Sequence, residues 1–223
     1  VNDVYDDFYH YYPDVAVDGE GRFVILWCDD RDGEESIYFQ RYAADGNPVG
    51  ANTKVESLAG SQFQRMPSVT MDANGGFVIA WMDMQSNNTS ILARRFSQDG
   101  IPLGDILEVS IPEENTYYYK PSVSAGETGN FAICWYYHQQ SNYQVMARRY
   151  DSDGSPVGEI YHLSEPTNSF QIYSAISLQN NRIFATWQDN RGNQTGFDIW
   201  ANVYEWDAWV GLEKEISFNK NQK

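Results

Sequence analysis

Basic side chains are scarce in this sequence. Fifteen Lys and Arg stand against 31 Asp and Glu, a formal net charge of −16, so nucleic acid and anionic membrane surfaces, both of which would be repelled, are excluded as partners. Long apolar runs are missing as well. No stretch approaches the roughly 18 residues that span a bilayer, which argues against membrane insertion. Histidine is limited to His10, His138 and His162, at unrelated positions, and there is no zinc-ligand spacing, Gly-x-Ser-x-Gly elbow or phosphate loop. The usual signatures of a catalytic centre are therefore absent, and no segment keeps a helical period. The cysteines are Cys28 and Cys134. One follows a Trp and the other precedes one, which is expected to send them to opposite faces of distant repeats, too far apart for a disulfide. Two buried apolar thiols are the reading that follows. Val1 opens the sequence with no basic and apolar leader before it, the pattern of a mature secreted protein or of an excised piece.

The chain is rich in aromatic residues, and it repeats. Trp27, Trp81, Trp135 and Trp187 are separated by 54, 54 and 52 residues, a period that marks a repeat architecture. The phrases "PDVAVDGEGRFVILW", "PSVTMDANGGFVIAW" and "PSVSAGETGNFAICW" lead into the first three, and a worn copy, "SAISLQNNRIFATW", into the fourth. Each repeat reads as four short strands. In the second, strand one begins at Pro67, where a missing N–H is tolerated; a Gly-rich turn over 72–76 reverses the chain. Strand two, 77–82, is almost wholly apolar and suits burial on both faces. Strand three, 90–96, alternates, and Asp99-Gly100 turns it into strand four, 102–110.

Tandem four-stranded sheets of this length predict an all-β, β-propeller-like fold of four antiparallel blades. The whole of 1–223 is one repeat domain, with repeats at about 3–56, 57–110, 111–164 and 165–217 and a tail at 218–223. Val1-Asn2 falls at the same phase as Val55-Glu56, Val109-Ser110, Leu163-Ser164 and Ile216-Ser217. The blades therefore form either a four-bladed ring or a segment of a larger or oligomeric array. In either case the residues from Val1 to Tyr12 are expected to pair with the Ile216 strand or to pack on a second copy, since a bare edge invites aggregation.

The phrases "FVIAW", "ARRY", "DGSPVG" and, in the fourth repeat, "WQDNRGNQTGFDIWANVY" resemble the tandem Trp-Asp-x-Arg and Asp-Gly-x-Pro-Val-Gly repeats of large secreted bacterial surface proteins. The resemblance runs over essentially the whole chain. It implies a β-propeller-like fold and display or binding at the cell surface, without a substrate. The chain departs from that pattern at Gln85 and Gln139, which replace the motif Arg, and at Ala208, where the other repeats have Gly46, Gly100 and Gly154.

In such a fold the loops after each Trp and the connections between repeats share one face. That face carries Asp29, Arg31, Asp83, Tyr137, Asp189 and Arg191 after the Trp residues, and Tyr117 and Tyr118 in a connection. Sugar rings stack their C–H faces on aromatics and bond carboxylates and amides through their hydroxyls; protein interfaces favour the same residues. These eight positions are the candidate ligand site. The predicted function is a non-catalytic extracellular or cell-surface binding or adhesion module for a glycan or protein surface. A self-assembling structural repeat is the alternative, with a glycosidase-type enzyme behind both, because carboxylates are too plentiful here to single out a catalytic pair. The four Trp residues read as core fillers, and Arg41, Arg95 and Arg149 as blade staples to acidic neighbours. The stretch 29–35 offers hard oxygen ligands of the kind Ca2+ takes, but it lacks the spacing of a calcium loop and contains an Arg. No cofactor is assigned.

Overall fold

A computed structural model describes residues 1–3, 8–86, 88–111, 113–191 and 196–207. Each repeat forms one antiparallel meander. The first sheet is β1 (His10–Val17), β2 (Phe23–Asp29), β3 (Ser36–Tyr42) and β4 (Pro48–Lys54); the second is β5 (Phe63–Met71), β6 (Phe77–Gln85), β7 (Asn88–Phe96) and β8 (Pro102–Glu108). The third is β9 (Thr116–Ala125), β10 (Phe131–Gln139), β11 (Asn142–Tyr150) and β12 (Pro156–His162). The fourth has β13 (Gln171–Gln179), β14 (Arg182–Asp189) and β15 (Asp198–Glu205). Its expected outer strand, with Ala208 and Ile216, lies outside the described residues. The all-β architecture of repeated antiparallel blades is as the repeat predicts.

The blades stack face to face along the chain, so that the two middle blades are buried on both faces. Val24, Leu26, Cys28, Ile37 and Phe39 of the first sheet pack against Phe77, Ile79, Trp81 and Leu92 of the second. The same arrangement joins the second to the third and the third to the fourth. This is why the Trp strand is almost unbroken in apolar character: the Trp points back to the preceding blade, while its sequence neighbours point forward to the next. Cys28 and Cys134 consequently lie on the same, forward face of their blades. The expectation of opposite faces is corrected, because residues one before and one after a Trp share a side. Both thiols are free and buried.

Inner strands pack in chain order, β1 with β5, β5 with β9 and β9 with β13. Side chains staple them: Val69 N donates to Asp14 Oδ2 at 2.9 Å, Val123 N to Ser68 Oγ at 3.4 Å and Ile176 N to Ser122 Oγ at 3.3 Å. The fourth residue of this series is Ala175, which has no acceptor to offer. Among the described residues no comparable packing joins β13 back to β1. Val15 is 59% exposed while its equivalents Val69, Val123 and Ile176 are 6%, 6% and 9% exposed, and Phe184 and Ile199 on the far side of the fourth sheet are likewise open. Among the described residues the first and fourth blades thus each keep one face without a partner blade. At the start of the chain, Asp3 N donates to Asn52 Oδ1 and Asn52 Nδ2 to Val1 O, both at 3.1 Å. This segment rests on the outer strand of its own first blade; the expected pairing with Ile216 lies outside the described residues.

Arg41 and Arg95 are staples, but not to carboxylates. Arg41 donates to the carbonyl of Gln98 at 2.9 Å, and Arg95 to those of Ser152 and Asp153, in the Asp-Gly turn of the next blade. Arg149 instead lies over the Trp206 ring, 5.6 Å from its centroid.

Candidate functional site

All four inner strands contribute to the lining of one axial cavity of about 530 Å³. Its lining arises from one irregularity written four times. Strand one does not start at the Pro, as the sequence suggested, but earlier, at His10, Phe63, Thr116 and Gln171. The Pro falls inside a β-bulge. Tyr12 and Pro13 together oppose Trp27, Met66 and Pro67 oppose Trp81, Lys120 and Pro121 oppose Trp135, and Tyr173 and Ser174 oppose Trp187. Pro fits there because the unpaired residue of a bulge needs no ladder N–H. The first residue of each bulge is left-handed, with φ of 54°, 52°, 47° and 55° at Tyr12, Met66, Lys120 and Tyr173. Each non-Gly residue in that region costs about 1–2 kcal/mol, and such strain gathers where a side chain must be re-aimed at a functional site.

All four re-aimed side chains line the cavity, and they differ: two phenols, a thioether and an ammonium. Lys120 Nζ sits 4.4 Å from the centroid of the Tyr173 ring, a cation–π contact that holds the charge over the opening. Tyr173 in turn approaches Tyr136, with centroids 6.0 Å apart, and Tyr136 stacks on Tyr119 at 5.4 Å. The Tyr173 ring is thus backed by two further tyrosines outside the cavity lining. Of the lining residues Asp14 alone is a carboxylate. Its Oδ1 accepts from Val15 N and its Oδ2 from Val69 N, each at 2.9 Å, so its orientation is fixed by two strands.

Of the eight sequence-predicted site residues, none lines this cavity. Asp29, Asp83 and Asp189 belong to strands rather than to loops and are fully buried. Asp29 accepts from Trp27 Nε1 at 2.9 Å and pairs with Arg31 at 2.6 Å. Burial alone would raise its pKa, but Arg31 and Trp27 more than offset that and hold it below the usual carboxylate range. Asp189 pairs with Arg191 at 2.6 Å and accepts from Ser169 and Gln171, which depress it in the same way. Asp83 accepts from Ser57 and Ser61 at 2.7 and 2.6 Å. Arg31 covers Tyr38 and Arg191 covers Trp200, at 4.4 and 4.2 Å. These five residues tie down the loops of their own blades. Among the described residues no group of three or more His, Cys, Asp and Glu is placed to hold a metal ion, so the 29–35 stretch does not gather as a calcium loop.

The predicted tyrosines are brought closer together. Tyr117 stacks on His138 at 6.4 Å, and His138 on Tyr143 at 4.3 Å. Tyr118 and Tyr137 line a second, smaller cavity. The eight sequence-predicted residues did not include Tyr12, Asp14, Met66, Lys120 or Tyr173. The available signal was a Pro at the same phase in three repeats, each preceded by a different residue.

No protein-family model matches the sequence, and no curated protein matches it at a significant level. Solved structures do share its fold. An endo-arabinase from Bacteroides thetaiotaomicron is similar at a TM-score of 0.59 and 14% identity, over 93% of this chain and 80% of that one. An α-L-arabinanase from Penicillium chrysogenum, complexed with arabinobiose, is similar at 0.67 and 13% identity, over 94% and 68%. An α-L-arabinofuranosidase from Fusarium graminearum, with an iminosugar inhibitor, is similar at 0.67 and 9% identity, over 95% and 67%. At these identities the likeness is one of fold, a β-propeller. These three neighbours are enzymes that act on arabinose-containing glycans, and they overturn the expectation of a non-catalytic binding or adhesion module.

Proposed function

We propose that this chain acts on a carbohydrate as a glycosidase-type enzyme, with the glycan seated in the axial cavity. The observation that carries this reading is the set of four strained bulges. Left-handed backbone at Tyr12, Met66, Lys120 and Tyr173 points two phenols, a thioether and an ammonium at one space. The two phenol rings offer stacking faces for sugar C–H groups, and the Lys120 ammonium and the tyrosine hydroxyls offer donors to ring and hydroxyl oxygens. A net charge of −16 favours a neutral glycan over an acidic one, and the arabinose-directed names of the structural neighbours make a neutral pentose polymer the first substrate to test.

Glycoside hydrolysis uses two carboxylates. Asp14 is the one that the described lining residues supply. Held by two N–H donors, it suits the carboxylate that faces the positive charge developing on the sugar. The test is release of reducing sugar from linear arabinan and a panel of neutral polysaccharides by the intact chain and by Asp14→Asn, which keeps an acceptor for Val69. Activity on a neutral glycan is expected to fall about a hundredfold or more in the variant, with the circular dichroism unchanged. An intact chain that releases no sugar from any of them, or a variant as active as the parent, would remove the proposal.

A further inference from the structure

At the seam between the third and fourth blades, aromatic rings run from the core out to the surface. Tyr173 lines the axial cavity and stands 6.0 Å from Tyr136, centroid to centroid. Three residues earlier in the chain, Phe170 packs on Tyr143 at 4.6 Å, and Tyr143 stacks on His138 at 4.3 Å with the rings 14° from parallel. The two groups of rings adjoin. Burial, and then the nearby phenols of Tyr173, Tyr119 and Tyr143, push the Tyr136 hydroxyl up to about 12, which keeps it neutral. Tyr136 and Tyr119 lean on the apolar cores of their seams. Tyr143, Phe170 and Tyr173 belong to none of these cores, and Phe170 and Tyr173 are exposed, so packing does not account for them. Nor does repetition. The positions of Tyr136, His138 and Tyr143 in the third blade are Cys28, Asp30 and Glu35 in the first and Met82, Met84 and Thr89 in the second. Among the described residues the continuous strip arises at this seam alone.

We infer that this strip holds the sugar units next to the one in the axial cavity, so that the chain takes a neutral polysaccharide over its third and fourth blades. The inference rests on the carbohydrate reading of the axial cavity and assigns the side on which the polymer leaves it. Phe170 and Tyr173 both lean on rings of the third blade, and three residues of extended chain place them roughly 10 Å apart. One sugar ring does not reach both, whereas two or more linked units do. The exposed rings take the C–H faces of the sugars, and the hydroxyls of Tyr143 and Tyr173 serve their hydroxyl groups as donor or acceptor. An acidic polymer would meet the net charge of −16. Protein interfaces also use exposed aromatics, but the continuity of the strip with the axial cavity, through Tyr173, favours the glycan.

The experiment measures retardation of the intact chain in native gels cast with linear arabinan, xylan or galactan, each over a range of concentrations. At least one polymer is expected to slow the chain saturably. Phe170→Ala and Tyr143→Ala, each with unchanged circular dichroism, are expected to weaken that binding roughly two- to tenfold, and Phe170→Trp keeps it. Tyr9 supplies the control. It holds the position of Phe170 in the first blade and is more exposed, and Tyr9→Ala is expected to bind as the parent does. Binding that depends on Phe170 and Tyr143 without release of sugar would remove the hydrolytic reading and leave the strip; release of sugar with binding indifferent to both rings would do the reverse. The inference is overturned if no polymer slows the chain, if both ring variants bind as tightly as the parent, or if Tyr9→Ala loses as much as Phe170→Ala. A change of hydrodynamic size in Phe170→Ala with no retardation of the parent would assign the strip to a protein contact instead.

Discussion

Removing the acceptors that join the inner strands is expected to loosen them in a defined order. Asp14, Ser68 and Ser122 each receive the backbone N–H of the next inner strand, at 2.9, 3.4 and 3.3 Å. The first bond has a charged acceptor and a short distance. Such bonds contribute about 1.5–3 kcal/mol, and because Asp14 is only half-buried the lower end applies, about 1.5 kcal/mol. The serine bonds are neutral and near the long limit of geometry, so each contributes about 0.5 kcal/mol. Hydrogen exchange reads these differences one amide at a time. At 1.4 kcal/mol per factor of ten, Asp14→Ala is expected to speed exchange of the Val69 amide roughly tenfold. Ser68→Ala and Ser122→Ala are expected to speed Val123 and Ile176 by only about twofold on the same scale. Unchanged protection of Val69 in Asp14→Ala, or a larger effect from either serine, would refute the assignment of charge and distance as the controlling terms.

Two further expectations concern stability. Trp81 is completely buried between the first two blades, so Trp81→Ala is expected to cost about 3–5 kcal/mol in urea unfolding; a loss below about 1 kcal/mol would mean that the seam is not the core. Asp29 and Asp189 have folded-state pKa values below the 3.8 of an ordinary aspartate. A carboxyl depressed on folding binds fewer protons when native, so its contribution is complete above the unfolded value and is lost as pH falls through the folded one. The melting temperature should therefore hold down to pH of about 4 and drop below it, and Asp189→Asn should blunt the drop; a wild-type curve that stayed flat through that acid range would contradict this.

The blades were legible in the sequence because burial on two faces imposes an almost continuous apolar strand, and Trp27, Trp81, Trp135 and Trp187 mark that strand in each copy. The axial site was not, for a local reason. Pro13, Pro67 and Pro121 look like strand starts because Pro cannot donate to a ladder, and a bulge satisfies the same constraint from inside a strand. That ambiguity hid the residue before each Pro, which is the one facing the axis. The post-Trp acids misled in the opposite way. Asp29 and Asp189 have the composition of a binding loop, yet their partners, Arg31 and Arg191, stand only two residues away, so each charge is satisfied locally. Tyr118 and Tyr137 were recognised as aromatic surface, but that they line one cavity with Met146 and Ile160 depends on strand register, which sequence alone does not carry.

The bulge also bears on how a symmetric object comes to serve an asymmetric ligand. Repetition supplies nearly identical blades, and a sugar has no such symmetry to match. At the axis the symmetry is broken mainly at the left-handed positions, where Tyr12, Met66, Lys120 and Tyr173 stand opposite four identical tryptophans. Tyr12 and Tyr173 are nearly half exposed, at 44% and 48%, so exchanging them disturbs less packing than a change in the seams would. On the proposed glycan reading, selectivity can thus drift by point substitution at the axis while the seams between blades stay fixed, and redesign toward another glycan should begin with those four residues.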